Sequence, residues 1–105
     1  MVEIPLISVP NQSLSIRLDN NFYTLNIKQA RNIMAVDILR NNEIVVQSQR
    51  ALANYPLIPY KYLENGNFIF LTENWEYTFY TEFAISQFLY FATQLELEAI
   101  RATAA

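Results

Sequence analysis

A mainly β fold is what this 105-residue sequence predicts: a small antiparallel β-sandwich or partly open barrel with a short C-terminal helix. Three observations carry that reading. Apolar residues recur at every second position through most of the first half, the signature of half-buried strands. Turn-forming clusters interrupt these runs at intervals of about ten residues, which suits a sandwich better than strand–helix–strand units. Near the end, Thr93 and Glu96 stand three residues apart and spell a capping box, so a short helix over about 93–102 should follow. At this length we expect one β-rich domain over 1–105, with a stability of ~5–10 kcal/mol.

The elements follow in order. Val2, Ile4 and Leu6 alternate with Glu3 and Pro5. Pro5 has no amide to give a ladder, so this strand should be an edge or irregular. Val9-Pro10-Asn11-Gln12 reads as a turn. Leu14, Ile16 and Leu18 alternate with Ser13, Ser15, Arg17 and Asp19, the cleanest strand in the chain. Asp19-Asn20-Asn21 turns it, because Asp and Asn tolerate left-handed backbone angles. Tyr23, Leu25 and Ile27 return, completing a hairpin. From Ile33 to Leu39 both faces carry apolar groups, which predicts a strand covered on two sides. Arg40-Asn41-Asn42-Glu43 is a second hairpin turn, and Ile44 to Gln47 comes back.

Pro56 and Pro59 bias Tyr55 and Ile58 away from helical angles, so 54–59 should be an extended connection. Gly66, the only glycine, lies in Glu64-Asn65-Gly66-Asn67, and Asn-Gly is the strongest short hairpin signal. It predicts a hairpin joining strands at Tyr60–Leu63 and Phe68–Leu71. Ser86 to Ala92 is again apolar and aromatic. On the final helix, Glu98 and Arg101 are spaced to pair.

Composition narrows the chemistry. The chain has no histidine and no cysteine, yet 52% is hydrophobic and 14% aromatic. Triads built on histidine and zinc sites built on cysteine or histidine are therefore excluded, and one glycine cannot build a phosphate loop. The formal charge is −3 and the seven Lys and Arg are scattered singly. Nucleic acid and anionic membranes are not expected as partners. Met1 to Pro10 lacks the features of a secretory signal, and no stretch reaches the length of a membrane span. Without such a signal the sequon Asn11-Gln12-Ser13 is not expected to be glycosylated.

Two pairs of carboxylates, Glu73 with Glu76 and Glu96 with Glu98, read as a solvated turn and a helix face. Asp19-Asn20-Asn21 lacks the glycine and distal glutamate of a calcium loop, so it reads as a turn. No catalytic residue, metal site or cofactor is expected.

The segment from Thr72 to Thr81 is the place where a functional reading competes with a structural one. Trp75, Tyr77, Phe79 and Tyr80 stand within six residues. They can fill a core or form a contact surface, since Trp and Tyr dominate interface hot spots. Alternation cannot bury all of them on one side, so some rings should face outward. A small acidic β-domain with aromatics on both faces covers them by self-association or by docking into a larger assembly.

A resemblance sharpens this. Ile4-Pro5-Leu6, the run from Val9 to Leu18, Tyr23-Thr24-Leu25-Asn26-Ile27, the run from Pro56 to Leu63, and Gly66 to Phe70 resemble, in that order, the small plug proteins of contractile-tailed phage baseplates, of the cyanophage type. The resemblance implies a structural component near the central hub of a tail baseplate, made in the host cytoplasm, present in several copies, and without catalytic residues. Its partners would be other baseplate, hub or tail-tube proteins. The contact residues expected are Trp75, Tyr77 and Tyr80, with Tyr60 and Tyr62 beside them. The alternative of another class is a small aromatic-lined carbohydrate- or ligand-binding module, which saturable glycan binding would distinguish. An enzyme would have only carboxylates, hydroxyls and a few lysines to work with.

Overall fold

The period-two runs become strands. A computed structural model describes residues 1–72 and 78–104, and within them lie β1 (Val2–Ile4), β2 (Gln12–Leu18), β3 (Asn21–Ala30), β4 (Ile33–Arg40), β5 (Glu43–Arg50), β6 (Asn67–Thr72), β7 (Gln87–Ala92) and the helix α1 (Gln94–Ala104). They form two antiparallel sheets, one ordered β2-β3-β4-β5 and the other β1-β7-β6. The fold is mainly β with a short C-terminal helix, as the alternation and capping box predict.

The four-stranded sheet is a meander of tight hairpins. Asp19 and Asn20 take φ of 48° and 65°, and Asn41 and Asn42 take 52° and 68°. These are the paired left-handed residues of a type I′ turn, whose twist matches the strands it joins. The second turn is also tied to β3: Asn41 Oδ1 accepts from Phe22 N at 2.9 Å and Asn41 Nδ2 donates to Asn21 Oδ1 at 3.0 Å. The register stacks Leu14, Leu25 and Ile38 on one face, and Ile16 beside Tyr23. That face looks onto the other sheet. Tyr23, Leu25, Ile27, Val36 and Ile38 join Ile4, Phe68, Phe70, Leu89 and Phe91 in one buried cluster. Each such side chain contributes ~1.5–3 kcal/mol by leaving water.

The other face of this sheet corrects one expectation. No second layer covers β4 there among the described residues. Ser13 Oγ donates to Asn26 Oδ1, Ser15 and Thr24 share a hydrogen bond, and Lys28 pairs with Asp37 at 3.1 Å. This polar ladder leaves Ala35 as the only buried residue on that side of β4, while Ile33 and Leu39 are half-buried among their neighbours. Asp37 also accepts from Ser48 N, at 2.6 Å, where a bulge shifts the β4–β5 register and Ser48 takes φ of 51°. Burial alone would raise the Asp37 pKa, but the Ser48 amide and Lys28 outweigh it and hold the carboxyl below its ordinary value.

The first strand ends at Pro5 and lies at the edge of its sheet, as the missing amide requires. The Asn-Gly hairpin does not form. Residues Lys61–Leu63 make a 3₁₀ turn, and β6 pairs with β7 instead. The free side of β6 is taken by the preceding connection: Asn54 N donates to Phe70 O at 2.7 Å and Leu57 N to Phe68 O at 2.8 Å. An Asn-Gly pair makes a hairpin only when both flanks are free to ladder, and here 53–58 already occupies that edge.

The helix is capped as its sequence predicts. Glu96 N donates to Thr93 Oγ1 at 3.2 Å and Thr93 N to Glu96 Oε1 at 3.0 Å. The pairing of Arg101 departs from helical spacing: its guanidinium turns from Glu98 to Glu64, outside the helix.

Candidate protein-interaction surface

The connection from β5 to β6 carries several exposed apolar and aromatic side chains. Tyr62 is 83% exposed, Tyr55 59%, Tyr60 55% and Leu52 42%. Each sits where alternation stops, so no sheet face claims it. The rings of Tyr60 and Tyr62 lie 5.7 Å apart at 34° and steady each other. Beside them runs a groove of ≈280 Å³, lined by Leu52, Tyr55, Pro56, Pro59 and Lys61 and floored by Ile58, Glu64 and Arg101.

This surface is held rigidly from beneath. Tyr23, buried in the core, donates its phenol to Asn65 O at 2.6 Å, and burial pushes its pKa up. Arg40 Nη1 donates to Leu63 O at 3.0 Å. Asn67, fully buried, uses its whole amide: Oδ1 accepts from Ile58 N and Phe68 N, and Nδ2 donates to Ile58 O and Glu64 Oε2. The two prolines restrict the same stretch. Rigid presentation matters because an ordered aromatic loses little freedom on binding.

Glu64 ties this surface to the helix. Its side chain is 1% exposed and takes both nitrogens of Arg101, at 2.6 and 2.8 Å, plus Gln94 Nε2 at 3.1 Å. The Arg101 guanidinium, helped by the Asn67 and Gln94 amides, brings the Glu64 pKa down to about 2. A carboxylate with a depressed pKa stabilises the fold fully above its ordinary value of 4.5 and loses that contribution as pH falls toward about 2. With the half-exposed guanidinium screened, we expect about 2–3 kcal/mol from this group at neutral pH. Urea titrations of wild type and Glu64→Gln check this. The variant should be less stable by that amount at pH 7, and the gap should close between pH 4.5 and 2. A gap independent of pH would show that the ion pair contributes nothing.

The sequence-predicted contact residues separate into three groups. Tyr60 and Tyr62 stand together on this surface. Tyr80 is half-buried and packs with Phe79 against the core, their rings 4.7 Å apart, so only part of it faces out. Trp75 and Tyr77 lie outside the described residues, as do Glu73 and Glu76. Sequence reasoning missed Tyr55 and Leu52. The signal was present: large apolar residues in a proline-bearing connection have no sheet face to enter.

Among the described residues no three Asp or Glu cluster to hold a metal ion. Glu96 is spent on the helix cap, and among the described residues no helix is long and apolar enough to cross a membrane.

The fold is a two-sheet β-scaffold with outward tyrosines, and its class comes from the sequence, which matches a family of structural phage baseplate proteins. The match is specific: the family model described as cyanophage baseplate Pam3 plug gp18 covers residues 1–94, and the chain belongs to that baseplate plug family. The matched range takes in all seven strands described and ends at the first residue of α1. The family is a structural one, not a class of enzymes. No curated protein matches the chain.

Proposed function

We propose that this chain is a structural component of a contractile phage tail baseplate, a plug held near the hub by protein–protein contacts. It would sit in the virion tail as a single folded unit over 1–105, in several copies, against other baseplate, hub or tail-tube proteins. Membership of the plug family supports the assembly, and the observation that carries the mode of action is the exposed tyrosine surface on a rigid connection. Tyr60 and Tyr62 are its anchors, with Tyr55 and Leu52 widening the patch. Trp75, Tyr77 and the outward part of Tyr80 would extend the contact.

The physical logic is adhesive. Large rings that are already ordered gain buried area on docking without freezing many rotamers. Lys61, exposed at the groove rim and without an ion pair among the described residues, adds a steering charge to an otherwise acidic chain. The test is the double variant Tyr60→Ala/Tyr62→Ala supplied to assembling particles. Both side chains are largely solvent-exposed, so circular dichroism and melting temperature should stay near wild type. Incorporation into tails should fall by ~10-fold or more. Incorporation at the wild-type level would remove this surface from the interface.

A further inference from the structure

Among the described residues the two sheets have four edges, and three are blocked. The first strand has only three residues and runs into Pro5. The sixth is covered by hydrogen bonds from Asn54 and Leu57. The fifth is broken by the bulge at Ser48, which twists an edge away from flat pairing. The second strand is different. It is seven residues long, with no proline, glycine, bulge or positive φ.

Its pairing with β3 decides which groups are free. The two-residue turn at Asp19-Asn20 makes Leu18 and Asn21 a hydrogen-bonded pair, so Leu18, Ile16, Leu14 and Gln12 spend their backbone groups on β3. The amides and carbonyls of Ser13, Ser15 and Arg17 therefore point outward from the sheet, and none has a partner among the described residues.

We infer that β2 pairs antiparallel with β2 of a second copy of this chain, about a two-fold axis through Ser15, joining two four-stranded sheets into one. The strand is complementary to itself in this register. Ser15 meets Ser15, and Arg17 meets the second copy's Ser13. Each of these facing pairs exchanges two backbone hydrogen bonds. On the core face, Leu14 meets the second copy's Ile16. These two are the members of the core row left half-buried, while their neighbours on β3, Leu25 and Tyr23, are fully buried. A second β2 supplies the missing neighbour. Arg17 is the only charge on the strand, and this register keeps it away from its own copy; a shift that centres the axis on residue 17 would oppose two guanidinium groups.

The pairing stands on the sheet edges alone and is independent of the tyrosine surface. The test is sedimentation of the full chain together with single-cysteine variants, which are unambiguous because the chain has no cysteine. Wild type should sediment as a concentration-dependent dimer. Ser15→Pro removes an outward amide, a change edge strands accept, and should weaken the dimer by ~100-fold or more with native circular dichroism. Ser15→Lys, at an exposed side chain, should do the same through like charges if the proline variant misfolds. Under mild oxidation Ser15→Cys should link two copies and Ser13→Cys should not. A wild type monomeric at every concentration, dimers unaffected by Ser15→Lys, or linking through Ser13→Cys as efficient as through Ser15→Cys would each overturn the inference. So would a β2 edge found paired with a strand of a different protein.

Discussion

Replacing Gly66 with alanine is expected to destabilise the protein by about 2–4 kcal/mol. Gly66 takes φ of +81°, where an L side chain costs ~1 kcal/mol. The added Cβ would lie 2.4 Å from Phe91 Cζ, 2.7 Å from Cε1 and 3.0 Å from the Ala92 carbonyl. Phe91 cannot yield, since it is buried between Tyr23 and Phe68, with ring centroids 5.5 and 5.1 Å away. Overpacking of this kind costs about 1–3 kcal/mol. Gly66 N also donates to Gln94 Oε1 at 3.0 Å, so displacement would loosen the helix cluster. At this size the melting temperature should fall by roughly 10–25 °C. Repeating the change in a Phe91→Leu background separates the two causes. There only the backbone term of ~1 kcal/mol should remain. An equal loss in both backgrounds would show that the ring is not the obstacle.

Asn67→Ala should cost about 3 kcal/mol. Asn67 is fully buried and bridges the connection to β6 through Ile58 N and O, both at 2.9 Å, while its amide also reaches Glu64. Truncation leaves the backbone groups of a buried Ile58 unpartnered, at about 1–3 kcal/mol for each. It also removes one donor from Glu64. Asn67→Asp distinguishes this bonding from simple cavity formation. It keeps the acceptor but sets a second carboxylate against Glu64, so its penalty should exceed that of alanine at pH 7 and shrink near pH 4. Urea titration at both pH values is the measurement. Equal penalties for the two variants at both would show that only volume matters.

Both predictions fall on residues whose roles are invisible to local pattern. Gly66 stands in an Asn-Gly pair, and the sequence reads it as a hairpin turn. Its real constraint is a phenylalanine ring twenty-five residues later. Asn67 reads as turn punctuation, yet in the core its whole amide is hydrogen-bonded. Three other local patterns were read correctly. Leu14, Ile16 and Leu18 alternate cleanly and became β2, and Asp19-Asn20 and Asn41-Asn42 became left-handed turns. Thr93 and Glu96 closed their capping box because its partners lie three residues apart. Glu98 and Arg101 have a comparable spacing, but a buried carboxylate from another element held the guanidinium more strongly than a solvated one on the same helix.

The contact surface was legible in kind more than in place. Excess aromatic residues without histidine or cysteine pointed to adhesion rather than chemistry, and Tyr60 and Tyr62 stand outward together. Tyr80 shows the limit of the pattern. Its position in an aromatic run says nothing of Phe79 beside it or of the core beneath, which together leave it half-buried. Leu52 and Tyr55 were missed because the connection was read for its extended backbone and not for which of its side chains face water. Length and proline content say where such a segment can bend, but only the fold shows which side of it faces water.

Placing a photo-crosslinking amino acid at position 62 in assembled tails tests the central claim most directly. Tyr62, at 83% exposed, accepts the larger ring without disturbing the fold. We expect light-dependent adducts between this chain and another protein of the tail, and none from a control probe at Thr24, on the polar face of the sheet. Tails that contain the probed chain yet give no adduct from position 62 would contradict a plug held by its outward tyrosines.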